Sequence, residues 1–341
     1  MIEIDGSLGE GGGQILRTSL SLSLVTGIPF RMDKIRAGRE RAGLLRQHLA
    51  AVLAAAEIGD AAVDGTFLGS TSLTFTPGTI KAGRYHFAVG TAGSATLVLQ
   101  TILPALMTAN EPSQVIIEGG THNQAAPPFE FLFKTFLPLI GRMGPQVQTR
   151  LEKYGFYPAG GGQLVFEITP CRVVAPLHLE DRGHTSKPKV HAIVANLARH
   201  IAQREVDEVA KVLGCGMEQL QITETKNSNG PGNVVMVEVE SAALTAIFTS
   251  FGRMGVSAEK VGAEVAEQVH SYLTSEAAVC EHLADQLLLP LTLAGSGSFT
   301  TRKLSSHAQT NMAVIKQFLP VGFTIDESDD GVRIAVVANQ R

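Results

Sequence analysis

The sequence predicts an α/β protein, of α+β character, in which three related units follow one another and a separate small α/β domain interrupts the last. Two observations lead there. A strand, a glycine-rich loop and an apolar helix recur along the chain, each time followed by a second helical stripe and strands. A stretch with its own helix and strand signals then separates the second unit from the rest of the third. The alternative is a single irregular α/β domain whose internal similarity is accidental.

The first unit opens with Ile2-Glu3-Ile4, the loop Gly9-Glu10-Gly11-Gly12-Gly13 and a helix from Gln14 to Val25. Leu45, Leu49, Val52, Leu53 and Ala56 then form a helical stripe, and a strand covers Ser72 to Thr76. The second repeats this with a strand from Tyr85 to Val89, the loop Gly90-Thr91-Ala92-Gly93-Ser94 and a helix from Ala95 to Met107. Its second stripe is Phe129, Leu132, Phe133, Phe136, Leu137 and Ile140, followed by strands over Val147 to Leu151 and Gln163 to Ile168. In the third, only the helix from Ala284 to Leu289 marks the opening clearly. Val314, Ile315, Phe318 and Leu319 follow, then strands over Phe323 to Asp326 and Val332 to Val337. Residues 1–180 and 277–341 are thus expected to form one three-unit domain, and 181–276 an inserted one. The insertion is expected to carry helices from Arg204 to Leu213 and Ser257 to Leu273, with strands over Leu220 to Glu224 and Val234 to Glu240. Val261, Val265, Val269 and Leu273 recur every four residues along its last helix.

The 341 residues suffice for a large core, and 35 glycines point to many tight turns rather than disorder. A net charge of −4 gives no global basic field, so a polyanion site must be a local patch. Cys171, Cys215 and Cys280 stand far apart, which fits a reducing compartment without a disulfide frame or thiolate metal site. Met1-Ile2-Glu3-Ile4-Asp5 has acids where a secretory signal carries Lys or Arg, so a cytoplasmic protein is expected. From Phe87 to Asn110 no side chain is charged, yet Gly90, Gly93, Ser94, Gln100 and Pro104 divide the stretch. A buried core helix fits it better than a membrane span.

The loops ahead of the helices hold the unusual residues. Gly6 to Gln14 fits neither the phosphate loop of nucleoside triphosphatases nor the dinucleotide fingerprint. A glycine-rich backbone opening a helix can still cradle phosphate, and Glu10 inside it suggests phosphates bound through a metal. From Arg31 to Arg46 six basic residues face only Asp33 and Glu40, and arginine is suited to bidentate phosphate contacts. Gly119 to Pro128 ends in two prolines that fix the entry of the next helix. Phe131 falls off that helix's apolar stripe, so it can wall a base-stacking slot or pack on a neighbouring loop. His307 stands just ahead of a helix, with Thr310 and Asn311 beyond. A lone histidine, like His122, His184 or His270, is more often structural than catalytic. No pair has the spacing of a zinc hydrolase.

Together, Gly9 to Arg17, Ile35-Arg36-Ala37-Gly38-Arg39, Gly43-Leu44-Leu45-Arg46-Gln47-His48, Gly155 to Gly162 and Ala284-Asp285-Gln286 resemble the RNA 3′-terminal phosphate cyclases, in order, from about Ile2 to Val337. The resemblance implies tandem β-α-β-α-β-β units like those of carboxyvinyl transferases, and an inserted domain of thioredoxin-like topology. It implies an enzyme that closes an RNA 3′-terminal phosphate into a 2′,3′-cyclic ester with ATP, through a covalent histidine–AMP. His307 matches the family's nucleophile, which a ribosome-assembly branch of the same fold lacks. Glu10 would hold a divalent cation, Mg or Mn. Arg36 and Arg39, with Gln47 and His48, would hold the RNA phosphate. Gln100 and His282-Leu283-Ala284-Asp285-Gln286 would line the ATP pocket, with Pro127 and Phe131 beside the adenine. His282 departs from the family pattern, which has Tyr there, and Thr301-Arg302-Lys303-Leu304 is unusually basic. An RNA-binding assembly factor and a carboxyvinyl transferase acting on a small phosphorylated metabolite are the competing readings.

Overall fold

A computed structural model describes residues 1–338. The first unit contains β1 (Ile2–Asp5), α1 (Gly13–Thr26), β2 (Phe30–Asp33), α2 (Arg46–Ile58), β3 (Ala62–Asp64) and β4 (Leu73–Thr76). Its sheet runs β1-β2-β4-β3, with β1 and β2 parallel and the rest antiparallel. Short alternating segments make this sheet: Phe30 and Met32 of β2 point into the core while Arg31 and Asp33 face water.

The second unit contains β5 (Arg84–Ala88), α3 (Ala95–Leu106), β6 (Ser113–Gly119), α4 (Phe129–Phe131), a π-helical turn over Leu132–Phe136, α5 (Leu137–Arg142), β7 (Gln146–Lys153) and β8 (Gly162–Thr169). Its sheet order, β5-β6-β8-β7, is that of the first. The uncharged stretch from Phe87 supplies β5, its loop and α3, whose side chains are almost all buried. Ser94 caps α3 by accepting from the Leu97 amide at 3.1 Å. Among the described residues no helix is long and apolar enough to cross a membrane.

The short strand β9 (His178–Leu179) precedes a fourth set of elements: β10 (Lys189–Ala195), α6 (Arg199–Leu213), β11 (Leu220–Thr225), β12 (Gly232–Glu240), β13 (Thr245–Phe251) and α7 (Ala258–Leu273). These form their own sheet, β11-β10-β12-β13, with α6 and α7 packed together. The chain then returns as α8 (Glu281–Leu293), β14 (Gly297–Thr301), α9 (Ser306–Phe318), β15 (Val321–Ser328) and β16 (Gly331–Ala338). Their sheet runs β9-β14-β16-β15, again the order of the first two. The opening strand of this third sheet therefore lies about 100 residues before its first helix, which is why it is inconspicuous in sequence.

Helix α1 packs on α2, α3 and α9, and α8 packs on α9, so helices of all three units meet on one side of their sheets. Proline falls at matching places in α3 and α8, at Pro104 and Pro290. Each lacks the amide that would bond the carbonyl four residues earlier, those of Gln100 and Gln286. Those two glutamines hydrogen-bond each other across the helix pair.

Two expectations are corrected. Phe131 is not an outward wall but a core residue, 4% exposed, and Phe133, expected in the stripe, is 49% exposed. The π turn adds a residue to the helix and rotates everything around it, so a uniform 3.6-residue period misplaces both rings. Strands β2, β3, β6, β9, β10, β13 and β14 are not expected from the sequence, because none carries an unambiguous period.

Candidate active site

The glycine loop before α1 is pressed between two neighbours. Gly11 has a positive φ of 55°, and a Cβ there would lie 2.6 Å from the Gly38 amide nitrogen. Gly9, with φ 54°, leaves no room beside the Thr310 hydroxyl of α9. This close approach brings Glu10, the arginine loop and the start of α9 together, although they are far apart in sequence.

Glu10 is the meeting point. Its Oε2 accepts from the Arg39 guanidinium at 3.1 Å and lies 2.9 Å from His307 Nε2, while Oε1 accepts from the Ser306 hydroxyl. The other ring nitrogen, Nδ1, lies 2.9 Å from Gln14 Oε1. The Gln14 amide is oriented by its own Nε2, which donates to Asp285 Oδ1. Asp285 also accepts from Asn311 Nδ2, and Asn311 Oδ1 accepts from the buried Thr18 hydroxyl at 2.8 Å. An amide oxygen can only accept, so Nδ1 carries a proton, and Nε2, which faces the Glu10 carboxylate, offers a lone pair only once any proton it holds has passed to that carboxylate. Asp285, Gln14 and His307 thus form a relay that sets one tautomer. Burial pushes the Asp285 carboxyl up, against the opposing pull of His307, Gln14, Asn311 and Arg17.

Below this relay, α1, α3, α8 and α9, with Phe136 and Ile140, line an open cleft. Gln14, Arg17, Thr18, Gln100, Asp285, Gln286 and Asn311 supply its polar wall, and Leu103, Pro104 and Leu289 part of its apolar wall. Burial lowers Arg17 to about 10, with Asp285 acting the other way, and it remains a cation at neutral pH.

Of the residues expected to hold the RNA phosphate, Arg39 is half-exposed and joined to Glu10. Arg36 is buried, and its guanidinium donates to the carbonyls of Arg41 and Gly43, so it braces the loop that presents Arg39. Gln47 accepts from the Ser94 amide at 3.1 Å and ties the first unit to the second. His48 is buried; burial first, then Arg17 and Arg36, lowers it to about 3. Its Nδ1 accepts from the Leu45 amide, which leaves the proton on Nε2 against Gly13. It is therefore neutral, a hydrogen-bond donor and not a cation.

Of the residues expected around ATP, Gln100, Asp285 and Gln286 line the cleft. Leu283 and Ala284 are buried in the packing of α8, and His282 is exposed toward a separate hollow beside Arg302 and Lys303. Pro127 accepts through its carbonyl from the Thr96 hydroxyl. Neither Pro127 nor Phe131 lines the cleft. Gln14, Arg17, Thr18 and Asn311 complete the site without having been singled out individually. Gln14, Arg17, Thr18 and Ser21 recur at helical spacing along α1, although Ser19, Ser23 and Thr26 blur the stripe.

A family model described as RNA 3′-terminal phosphate cyclase matches residues 8–325. The chain belongs to that family. It is 58% identical over its whole length to the RNA 3′-terminal phosphate cyclase of Koribacter versatilis, covering 96% of that relative. It is 50% identical to the one from Ectopseudomonas mendocina, over 97% of this chain and 96% of the relative. The one from Ralstonia nicotianae is 49% identical, over 99% and 97%. The arrangement of Glu10, Gln14, Arg39, Asp285 and His307 is therefore the candidate active site of a family member.

Proposed function

We propose that this chain is a ligase-type enzyme that converts an RNA 3′-terminal phosphate into a 2′,3′-cyclic phosphodiester at the expense of ATP, with His307 as the covalent nucleophile. The observation that carries the reading is the position of His307. Its Nδ1 is held by Gln14 and its Nε2 faces the meeting point of Glu10 and Arg39 at the edge of the cleft.

In the first step Glu10, 2.9 Å away, takes any proton on Nε2, and the freed lone pair attacks the α-phosphorus of ATP. An N–P bond forms, the bond to the bridging α,β-oxygen breaks, and pyrophosphate leaves. An RNA 3′-phosphate oxygen then attacks the same phosphorus, forming a P–O–P linkage as the N–P bond breaks. Finally the adjacent 2′-oxygen attacks the RNA phosphorus, gives up its proton and expels AMP. Nucleophile and electrophile share one ribose, so proximity supplies much of that step. Arg39 would hold the RNA phosphate and stabilise the charge that develops on it, with His48 donating from Nε2. Gln100, Gln286 and Arg17 line the space for the nucleotide. Arg36 acts through the loop it braces.

A divalent cation, Mg or Mn, would screen the triphosphate. Among the described residues there is no cluster of three or more carboxylate, His or Cys donors. A single carboxylate at Glu10 fits an ion held mainly by substrate phosphates and water. The three sheets of like order fit tandem β-α-β-α-β-β units of the carboxyvinyl-transferase-like kind, in 1–180 and 277–341. The set from β10 to α7 fits a thioredoxin-like insertion in 181–276.

The test is incubation with ATP and an RNA oligonucleotide bearing a 3′-phosphate. The expected product carries a terminal phosphate resistant to phosphatase, and one AMP appears per end. An end that stays phosphatase-sensitive with folded protein, ATP and either metal would contradict the reading.

A further inference from the structure

We propose that Phe67 and Leu68, with Leu45, form a stacking platform for the bases next to the 3′ end of a single-stranded RNA. The proposal rests on the cyclase reading and extends its site outward from Arg39. Phe67 is 63% exposed and Leu68 49%, consecutive apolar side chains left in water. Leu45, at the start of α2, adds a third at 39%. One such residue alone is ordinary; here three stand on two loops whose backbones are hydrogen-bonded to each other.

The segment that carries them is built, not slack. Gly69 donates its amide to the Leu44 carbonyl at 2.8 Å, and Leu44 donates to the Ser70 carbonyl at 2.9 Å. The Ser70 amide returns to the Phe67 carbonyl at 3.1 Å. Gly43 packs against this turn so closely that a Cβ would stand 2.3 Å from the Gly69 carbonyl. Gly43 is also the residue whose carbonyl receives the Arg36 guanidinium. The aromatic turn is therefore fastened to the loop that presents Arg39 and to the first turn of α2, which carries Gln47.

Charge selects the occupant. Arg41 and Arg46 lie on either side of Leu45 in the chain, are exposed, and form no salt bridge among the described residues, whereas eight of the fourteen other described arginines do. Flat or apolar side chains beside unneutralised guanidinium groups suit a strand that offers bases and phosphates alternately. A second copy of this chain, net charge −4, would have to bring acids to both arginines while also covering the three apolar groups.

The experiment compares the full-length protein with Phe67→Ala, Leu68→Ser and the double variant, using a 3′-phosphorylated oligonucleotide. Self-adenylylation by ATP without RNA is expected to be unchanged. KM for RNA is expected to rise about tenfold in the double variant, with kcat at saturating RNA retained. Phe67→Trp should keep the wild-type KM. Replacing the nucleotides next to the end by abasic ones should erase the difference between wild type and variant. An unchanged KM in the double variant overturns the proposal and leaves the cyclase reading intact. So does a wild-type dimer in sedimentation velocity that the double variant loses with no effect on KM. A wild type that forms no adduct and cyclises nothing overturns the underlying reading, and the platform with it.

Discussion

Two of the histidine–glutamate pairs in this protein, His122–Glu130 and His307–Glu10, have nearly the same contact distance and opposite surroundings. His122 Nε2 lies 2.8 Å from Glu130, with side-chain exposures of 0% and 13%. Its ring is enclosed by Tyr154 and Phe156, and Nδ1 meets the Thr121 hydroxyl at 2.8 Å. His307 Nε2 lies 2.9 Å from Glu10, with exposures of 49% and 22%, and its other nitrogen is held by a relay from a second helix. The first pair is closed on all sides and can only hold structure together. The second is partly exposed, and its Nε2 meets a carboxylate that can take its proton. Contact distance does not separate the two pairs; access and the partner of the second nitrogen do.

The largest effect should come from exchanging the two histidines for alanine. His307→Ala should abolish adenylylation, a loss of more than about a thousandfold, with the thermal transition unchanged within a degree or two. His122→Ala should leave adduct chemistry intact but lower stability by roughly 3–5 kcal/mol, because Glu130 is left buried without its partner. Thermal denaturation together with labelling by ATP separates the two. A His122 variant as stable as wild type would break the comparison.

Next in size is the relay. Gln14→Ala or Asp285→Asn should slow self-adenylylation by roughly a hundredfold, with less effect on ATP binding, because each frees the imidazole to adopt the wrong tautomer. An unchanged single-turnover rate in both variants would remove the relay from the mechanism. Arg39→Ala should leave the first step within a few-fold of wild type and slow transfer to RNA by about tenfold or more. A selective loss of the first step would contradict that assignment.

A third buried carboxylate sharpens the contrast. At Glu130, burial pushes the carboxyl up, but the charge and hydrogen bond of His122 outweigh it, and the group stays below the usual range. Glu205 has only the Asn233 amide against its burial and is raised to about 8. Its other oxygen, Oε2, is buried without a hydrogen-bond partner. A raised folded-state value means the unfolded chain releases this proton first. Glu205 therefore favours folding below the ordinary carboxylate value of 4.5, and that contribution is lost as pH rises toward 8. Glu205→Gln should flatten stability over this window and raise it at pH 8 by roughly 3–5 kcal/mol. Denaturant titrations at pH 5 and pH 8 would show it, and an unaltered slope between them would count against the assignment.

Much of this was legible in the residues, and the gaps have physical causes. The glycine loops and helix stripes marked the first two units, and their joint order placed Glu10, Arg39 and His307 in one family pattern. Strand β9 was not legible, because two residues paired with a partner about 120 positions later carry no local period. The reversal of Phe131 and Phe133 comes from one π turn. Arg36 is a phosphate ligand by what the resemblance implies, but a positive φ of 56° and two carbonyl acceptors turn it inward. The polar stripe Gln14, Arg17, Thr18 is obscured in the sequence because Ser19, Ser21, Ser23 and Thr26 of the same helix are polar too.

The central claim is that His307 Nε2 becomes covalently bonded to AMP. Incubation of the protein, freed of bound nucleotide, with α-labelled ATP and magnesium or manganese, without RNA, tests it directly. Denaturing electrophoresis and mass mapping of the peptides then locate any label. The account predicts one acid-labile AMP on the peptide containing His307, absent from His307→Ala. No adduct from folded protein with either metal, or an adduct on another residue, would contradict it.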